Sequence, residues 1–204
     1  MNMVVANFDI DQAGMKTQFG QLHSLLAFAN PRLFQYMITH ESDNMYFCFR
    51  WLLVWYKREF SNDDILKLWE CLWTKYPCPN FHILISVAIL DQQTDVIIEN
   101  QYEFTEILKH VNELSGNIDL KATLEIAEAI YYQIKEAEHL PNVIRLIIGE
   151  PSLEEEDAVA DKITPEQSDD DLDDYVRELT PEEKKRNQDW LDEACERSMF
   201  LQYM

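Results

Sequence analysis

Two groups of residues in this sequence have types and spacings that could do chemistry. Cys71, Cys78 and His82 lie close together, as metal ligands or a thiol nucleophile and its base would. Zinc sites usually draw their ligands as closely spaced pairs such as C-x-x-C, and this spacing forms none. A thiol hydrolase needs a base held by a third group and an oxyanion device; Cys78 and His82, with Pro79 between them, have neither in the sequence. The reading that follows is of reduced, buried cysteines packing as small hydrophobes, with no metal and no cofactor. His110 is read as meeting a backbone carbonyl or solvent.

The second group is charged. Arg50, Arg58 and Glu59 stand among Phe47, Phe49, Trp51, Trp55, Tyr56 and Phe60. A charge inside an aromatic segment must be compensated, so Arg50 or Arg58 is expected to pair with Glu59 or Glu70 and fix helix packing. Trp51, Trp69 and Trp73 read as core. The motif set is therefore structural, Arg50, Trp51, Arg58, Glu59 and Trp69, and no residue is assigned to catalysis.

Helices must position these groups. Met15, Phe19, Leu22, Leu25, Leu26 and Ala29 recur at helical spacing over 12–28, and Asn30-Pro31 separates them from a short helix through Leu33, Phe34, Met37 and Ile38. Residues 45–57 are apolar on nearly every face, which predicts a central helix capped by Asp43 or Asn44. Ser61 with Asp64 is a capping-box variant opening a helix through Ile65, Leu68, Trp69, Leu72 and Trp73. Pro77 and Pro79 end it, and Asn80 is expected to cap a strongly apolar helix over 81–98. Phe104 to Leu114, a helix from the Asp119 cap to Ile134, and a last one over 141–148 closed by Gly149 complete the series. The fold class is all-α, with seven or eight helices and no sheet.

Composition sets the outer limits. Of 204 residues, 47% are hydrophobic and only four are glycine, which suits a packed helical body rather than a sandwich or barrel. The net charge is −21, and 150–204 carry 19 acidic against 6 basic residues. Such a chain repels a phosphate backbone, so nucleic acid and bare anionic membrane are excluded as partners. No apolar run is long enough to span a bilayer, and no signal peptide is seen; with unpaired cysteines this gives a cytoplasmic expectation, extending to the periphery of endomembranes through partners. Residues 1–149 are read as one domain, a motif block over 1–76 and trailing helices over 77–149. Residues 150–204 are read as an acidic linker and a terminal amphipathic helix starting at Thr180-Pro181.

The run from Phe47 to Phe60, with Leu68-Trp69-Glu70 and Trp73-Thr74, resembles the second-half signature of TBC domains. Gly14-Met15-Lys16-Thr17-Gln18, Pro77 to His82 and Glu106 to Leu114 extend the resemblance from about Asn7 to Ile148. It is most similar to the branch that holds TBC domain family members fifteen and seventeen and the yeast Gyp-seven protein. The resemblance implies the C-terminal part of an all-helical GTPase-activating domain with a Rab-family small GTPase as partner. It also implies two fingers supplied in trans, an arginine from I-x-x-D-x-x-R and a glutamine from Y-x-Q. The arginine neutralises charge on the γ-phosphoryl group and the amide orients the attacking water.

Neither motif is matched in this sequence. Asp174 and Arg177 keep the D-x-x-R spacing, but Asp171 stands where Ile belongs. Tyr131-Tyr132-Gln133 satisfies Y-x-Q, but Ile134-Lys135 follows in place of Gly-Met. Both read as chance. Two further readings stand beside the activator fragment: a catalytically silent module that binds a Rab or another partner, and a scaffold whose acidic tail and terminal helix do the binding.

Overall fold

A computed structural model describes residues 4–10 and 12–152. The expected acidic linker, the terminal helix from Thr180 and the pair Asp174 and Arg177 lie outside the described residues.

Helix α1, Ala13–Ala29, buries Met15, Phe19, Leu22, Leu25 and Leu26 on one face, as its spacing dictates. The chain then turns at Asn30, whose side-chain oxygen accepts the Leu33 amide at 2.9 Å, with Pro31 at the first position of α2, Pro31–Thr39. Ahead of α1, Val5–Phe8 form a 3₁₀ turn that the periodicity did not signal. It approaches α1 closely: a Cβ on Gly14 would sit 2.5 Å from the Ala6 carbonyl oxygen, so only glycine fits.

The central helix expected over 45–57 is not continuous. Met45 takes a left-handed φ of 53°, Tyr46–Cys48 make a 3₁₀ turn, and α3 spans only Phe49–Leu53. Trp55 and Tyr56 then adopt φ of 44° and 60°. Left-handed backbone costs about 1–2 kcal/mol per non-glycine residue, so tertiary contacts must favour the reversal. They do: Trp51, Trp55 and Tyr56 are buried at 0%, 5% and 0% exposure, which one straight helix could match only if wrapped on every side. A reversing chain sends its apolar side chains in several directions without that wrapping.

Helix α4, Asn62–Trp73, starts at Ser61. The Ser61 hydroxyl oxygen accepts the Asp64 amide at 3.2 Å and its hydroxyl donates to the Asp64 carboxylate at 2.9 Å. The Asp64 side chain is thus taken up by the hydroxyl and by Lys67 rather than reaching back to the Ser61 amide.

The apolar run expected as one helix over 81–98 divides at Gln93 into α5, Phe81–Gln92, and α6, Thr94–Glu99. Asn30 sits at the division, donating to Asp91 at 2.7 Å and to the Thr94 hydroxyl at 2.9 Å. Every residue from Phe81 to Leu90 is buried, because α5 packs between α1 and α8. Asn80 does not cap α5; its amide donates to the Ile147 carbonyl at 3.0 Å instead.

Helix α7 spans Phe104–Glu113, and α8, Leu120–Lys135, is capped by Asp119, which accepts the Ala122 amide at 3.0 Å. Helix α9, Asn142–Ile148, ends at Gly149, whose φ is 81° and whose missing Cβ would lie 2.7 Å from Pro79 Cδ. Both requirements select glycine. Among the described residues every regular element is helical, as the sequence led one to expect.

Candidate functional site

Arg50 opens outward from the first turn of α3, and Glu59 follows the reversal at Trp55 and Tyr56. The reversal brings them together: Arg50 Nε donates to Glu59 Oε1 at 2.6 Å and Nη2 to Oε2 at 2.8 Å. The carboxylate is fully buried while the Arg50 side chain is 30% exposed. Its backbone is anchored as well, since the Gly116 amide donates to the Glu59 carbonyl at 2.8 Å and the Ser115 hydroxyl to the Arg58 carbonyl at 2.6 Å. The bond to Glu59 holds the Arg50 guanidinium still more firmly protonated than usual. Arg58 does not share this network. Its side chain is exposed, and so is that of Glu70, because the turn directs successive residues to opposite sides.

Around the pair stands an aromatic cluster. Trp51 is fully buried, its ring 6.4 Å from that of Tyr56. Trp69 is half-buried and donates Nε1–H to the Trp55 carbonyl at 2.9 Å, holding α4 to the reversal. The Tyr56 hydroxyl donates to the His82 carbonyl and lies 2.7 Å from Ser86 Oγ, tying the reversal to α5. Burial raises the Tyr56 phenol well above its ordinary range. Trp73 departs from the expectation of core: it is 56% exposed, on the solvent side of α4.

A buried polar string, unsuspected from the sequence, runs beneath. The Asn7 amide donates to the Leu52 carbonyl at 3.0 Å, the Gln18 amide donates to Asn7 Oδ1 at 2.5 Å, and Gln18 Oε1 lies 3.1 Å from His82 Nε2. With the Gln18 nitrogen committed as donor, its oxygen accepts, so His82 carries its proton on Nε2. The His82 ring stacks on Trp55 at 5.2 Å. Burial lowers its pKa to about 4, so the ring is neutral. The only hint in the sequence was polar residues inside apolar stripes, Gln18 beside Phe19 and His82 at the head of α5.

Two of the thiols are placed for packing, whereas Cys71, expected buried, is only half-buried near the end of α4. Cys48 and Cys78 are buried, and desolvation pushes Cys78 up to about 12 and Cys48 well above its ordinary value, Glu59 adding to the second. Such thiols do not ionise near neutrality. His110 Nε2 meets the Gln93 side-chain oxygen at 2.9 Å rather than a backbone carbonyl. Among the described residues no His, Cys, Asp and Glu side chains gather as a metal-binding group, and no helix there is long and apolar enough to cross a membrane. Tyr131 of the Y-x-Q match is buried, while Gln133 is exposed on the regular helix α8. What the arrangement does chemically is hold α1, α3, α4 and α5 in register.

Residues 1–98 match the family described as the Rab-GTPase-TBC domain. The chain is 40% identical over 165 residues to TBC1 domain family member 17 of Mus musculus, covering 81% of this chain and 26% of that protein. It is 42% identical over 149 residues to the Homo sapiens protein of the same name, covering 73% and 23%. The GTPase-activating protein GYP7 of Yarrowia lipolytica is 44% identical over 135 residues, 66% of this chain and 18% of that protein. The chain thus spans about a quarter or less of the length of these relatives.

Proposed function

We propose that this chain, whose residues 1–98 match the Rab-GTPase-TBC domain, is the C-terminal part of a GTPase-activating domain whose substrate is a Rab-family GTPase bound to GTP. The observation that carries the reading is the agreement with relatives named as GTPase-activating proteins over two thirds of the chain. Activators of this kind work by supplying charge and orientation to a reaction the GTPase already performs slowly. The work assigned to these residues is mechanical: Arg50, Glu59, Trp51 and Trp69 hold the helical frame on which the fingers of the domain are aimed.

The 204 residues contain neither an I-x-x-D-x-x-R nor a Y-x-Q-G-M sequence. We therefore expect the chain by itself to leave GTP hydrolysis near its intrinsic rate, acting on membrane traffic only through its partner. The test is single-turnover hydrolysis across a panel of Rab GTPases, with purified chain in excess, alone and joined to a TBC-domain segment that carries both I-x-x-D-x-x-R and Y-x-Q-G-M. The expected result is no acceleration alone and about 10³-fold or more with the fingers present. Acceleration by the chain alone, or none from the fusion with any Rab while the fusion is folded, would overturn the reading.

A further inference from the structure

Helix α4 buries Ile65, Leu68 and Leu72 and leaves a second apolar stripe outside. Leu66 is 58% and Trp73 56% exposed, with Trp69 half-buried between them. At 3.6 residues per turn these three fall within a sector of about 60°. The Trp69 and Trp73 rings stand 6.3 Å apart, so the stripe is a continuous aromatic ridge rather than scattered side chains. An exposed tryptophan set beside a half-buried one that is fixed to the frame by its bond to Trp55, with exposed Leu66 alongside, is the composition of an interface core rather than of an ordinary surface.

Charge says what could cover it. Asp63 and Glu70 border the stripe on one side, both exposed and neither in an ion pair among the described residues. Two cations close by are engaged elsewhere: Lys67 Nζ lies 3.0 Å from the Asp64 carboxylate and Lys57 Nζ donates to Asn62 at 3.2 Å, while Lys75 lies past the end of α4, exposed. The sequence as a whole carries −21, so a second copy of the chain or an anionic membrane would be repelled. The described residues present no sheet edge, so recognition on this face is by side-chain packing, the mode in which an amphipathic helix lays its apolar side on a partner.

We propose that the outer face of α4 docks a basic amphipathic helix of a partner protein, its apolar anchors seated on Leu66, Trp69 and Trp73 and its Lys or Arg residues facing Asp63 and Glu70. The inference does not depend on the GTPase-activator reading. Two turns of helix make a small interface, so the contact is transient and its affinity depends on the central aromatic residues.

The test uses the full chain and a fluorescein-labelled peptide of about 18 residues, Leu and Lys at helical spacing, read by anisotropy at low and moderate salt. A peptide of the same pattern with Glu for Lys is the control. Saturable binding of the Lys peptide, weakened about tenfold or more by Trp73→Ala and by Asp63→Lys with Glu70→Lys, is the expected result. Glu99→Lys with Glu103→Lys changes the net charge equally at another place and should shift binding by less than about threefold. Trp73 is exposed, so its variant should keep the helical circular dichroism; if it does not, the charge-reversed pair decides the matter. No saturable binding, equal weakening by the two charge-reversed pairs, or equal binding of the Glu peptide would overturn the proposal. So would cosedimentation of the chain with phosphatidylserine vesicles, or a dimer that Trp73→Ala abolishes.

Discussion

Arg50 and Glu59 form a two-pronged ion pair, at 2.6 Å and 2.8 Å, in which the carboxylate is wholly buried and the guanidinium partly open to solvent. The asymmetry governs what mutation should do. Removing Arg50 strands a desolvated carboxylate, so Arg50→Ala should lower stability by about 3–5 kcal/mol. Replacing both partners with apolar residues, Arg50→Met with Glu59→Leu, removes the desolvation cost along with the attraction. That double variant should be markedly more stable than Arg50→Ala. Urea unfolding followed by circular dichroism makes the comparison, and a double variant as weak as the single one would show that the pair is needed for more than charge balance.

His82 gives the fold a dependence on acid. Its pKa is lowered to about 4 in the folded chain by burial, against an ordinary value of 6.5. Between these values the unfolded chain binds the extra proton and the folded chain does not, so stability is complete above about pH 6.5 and falls as pH drops toward 4. The loss saturates at about 3 kcal/mol. Subtracting the pH profile of His82→Gln from that of the parent isolates this group from the many carboxylates. Parallel profiles between pH 4 and 6.5 would mean that His82 accepts its proton in place.

The helices α1, α4, α7 and α8 were legible because the spacing of their buried residues is local information. Ser61, Asp119 and Gly149 punctuate them in ways that short-range chemistry explains. The reversal at Trp55 and Tyr56 was not legible, since a segment apolar on all faces carries no phase, and the contacts that favour left-handed backbone lie near residues 82–86. Gln93 was missed for a related reason: the side chain that meets the division comes from Asn30. The string Asn7, Gln18 and His82 joins residues 11 and 64 positions apart, which spacing cannot reveal. Trp73 misled because residue type outweighed phase: it shares its helical face with Leu66, and nothing covers that face among the described residues.

Two glycines of α1 should respond oppositely to alanine. Gly20 is exposed in the helix interior with nothing within 4 Å of an added Cβ, whereas a Cβ on Gly14 would meet the Ala6 carbonyl oxygen at 2.5 Å. Gly20→Ala should stabilise by about 0.5–1 kcal/mol, the difference in helix propensity. Gly14→Ala must push the 3₁₀ turn away and loosen the Asn7 bonds to Leu52 and Gln18. Thermal melts of the two variants would move in opposite directions. If both rise, the turn at Val5–Phe8 yields freely and does not hold Asn7 in place.

The remaining Y-x-Q match makes a prediction about activity. A finger glutamine must place its amide beside the attacking water, within hydrogen-bond reach of the γ-phosphoryl group. Gln133 stands on the exposed side of α8 in the last turns of a regular helix, while Tyr131, two residues before, is buried in the body. Gln133→Ala, placed in the fusion with a segment that carries I-x-x-D-x-x-R and Y-x-Q-G-M, should leave single-turnover GTP hydrolysis within about twofold of the unmutated fusion, because losing a true water-orienting group costs orders of magnitude. Tyr131→Ala should lower the melting temperature, since it empties part of the packing between α8 and its neighbours. A fall of a hundredfold or more on Gln133→Ala, with the melting temperature unchanged, would make this residue a finger after all.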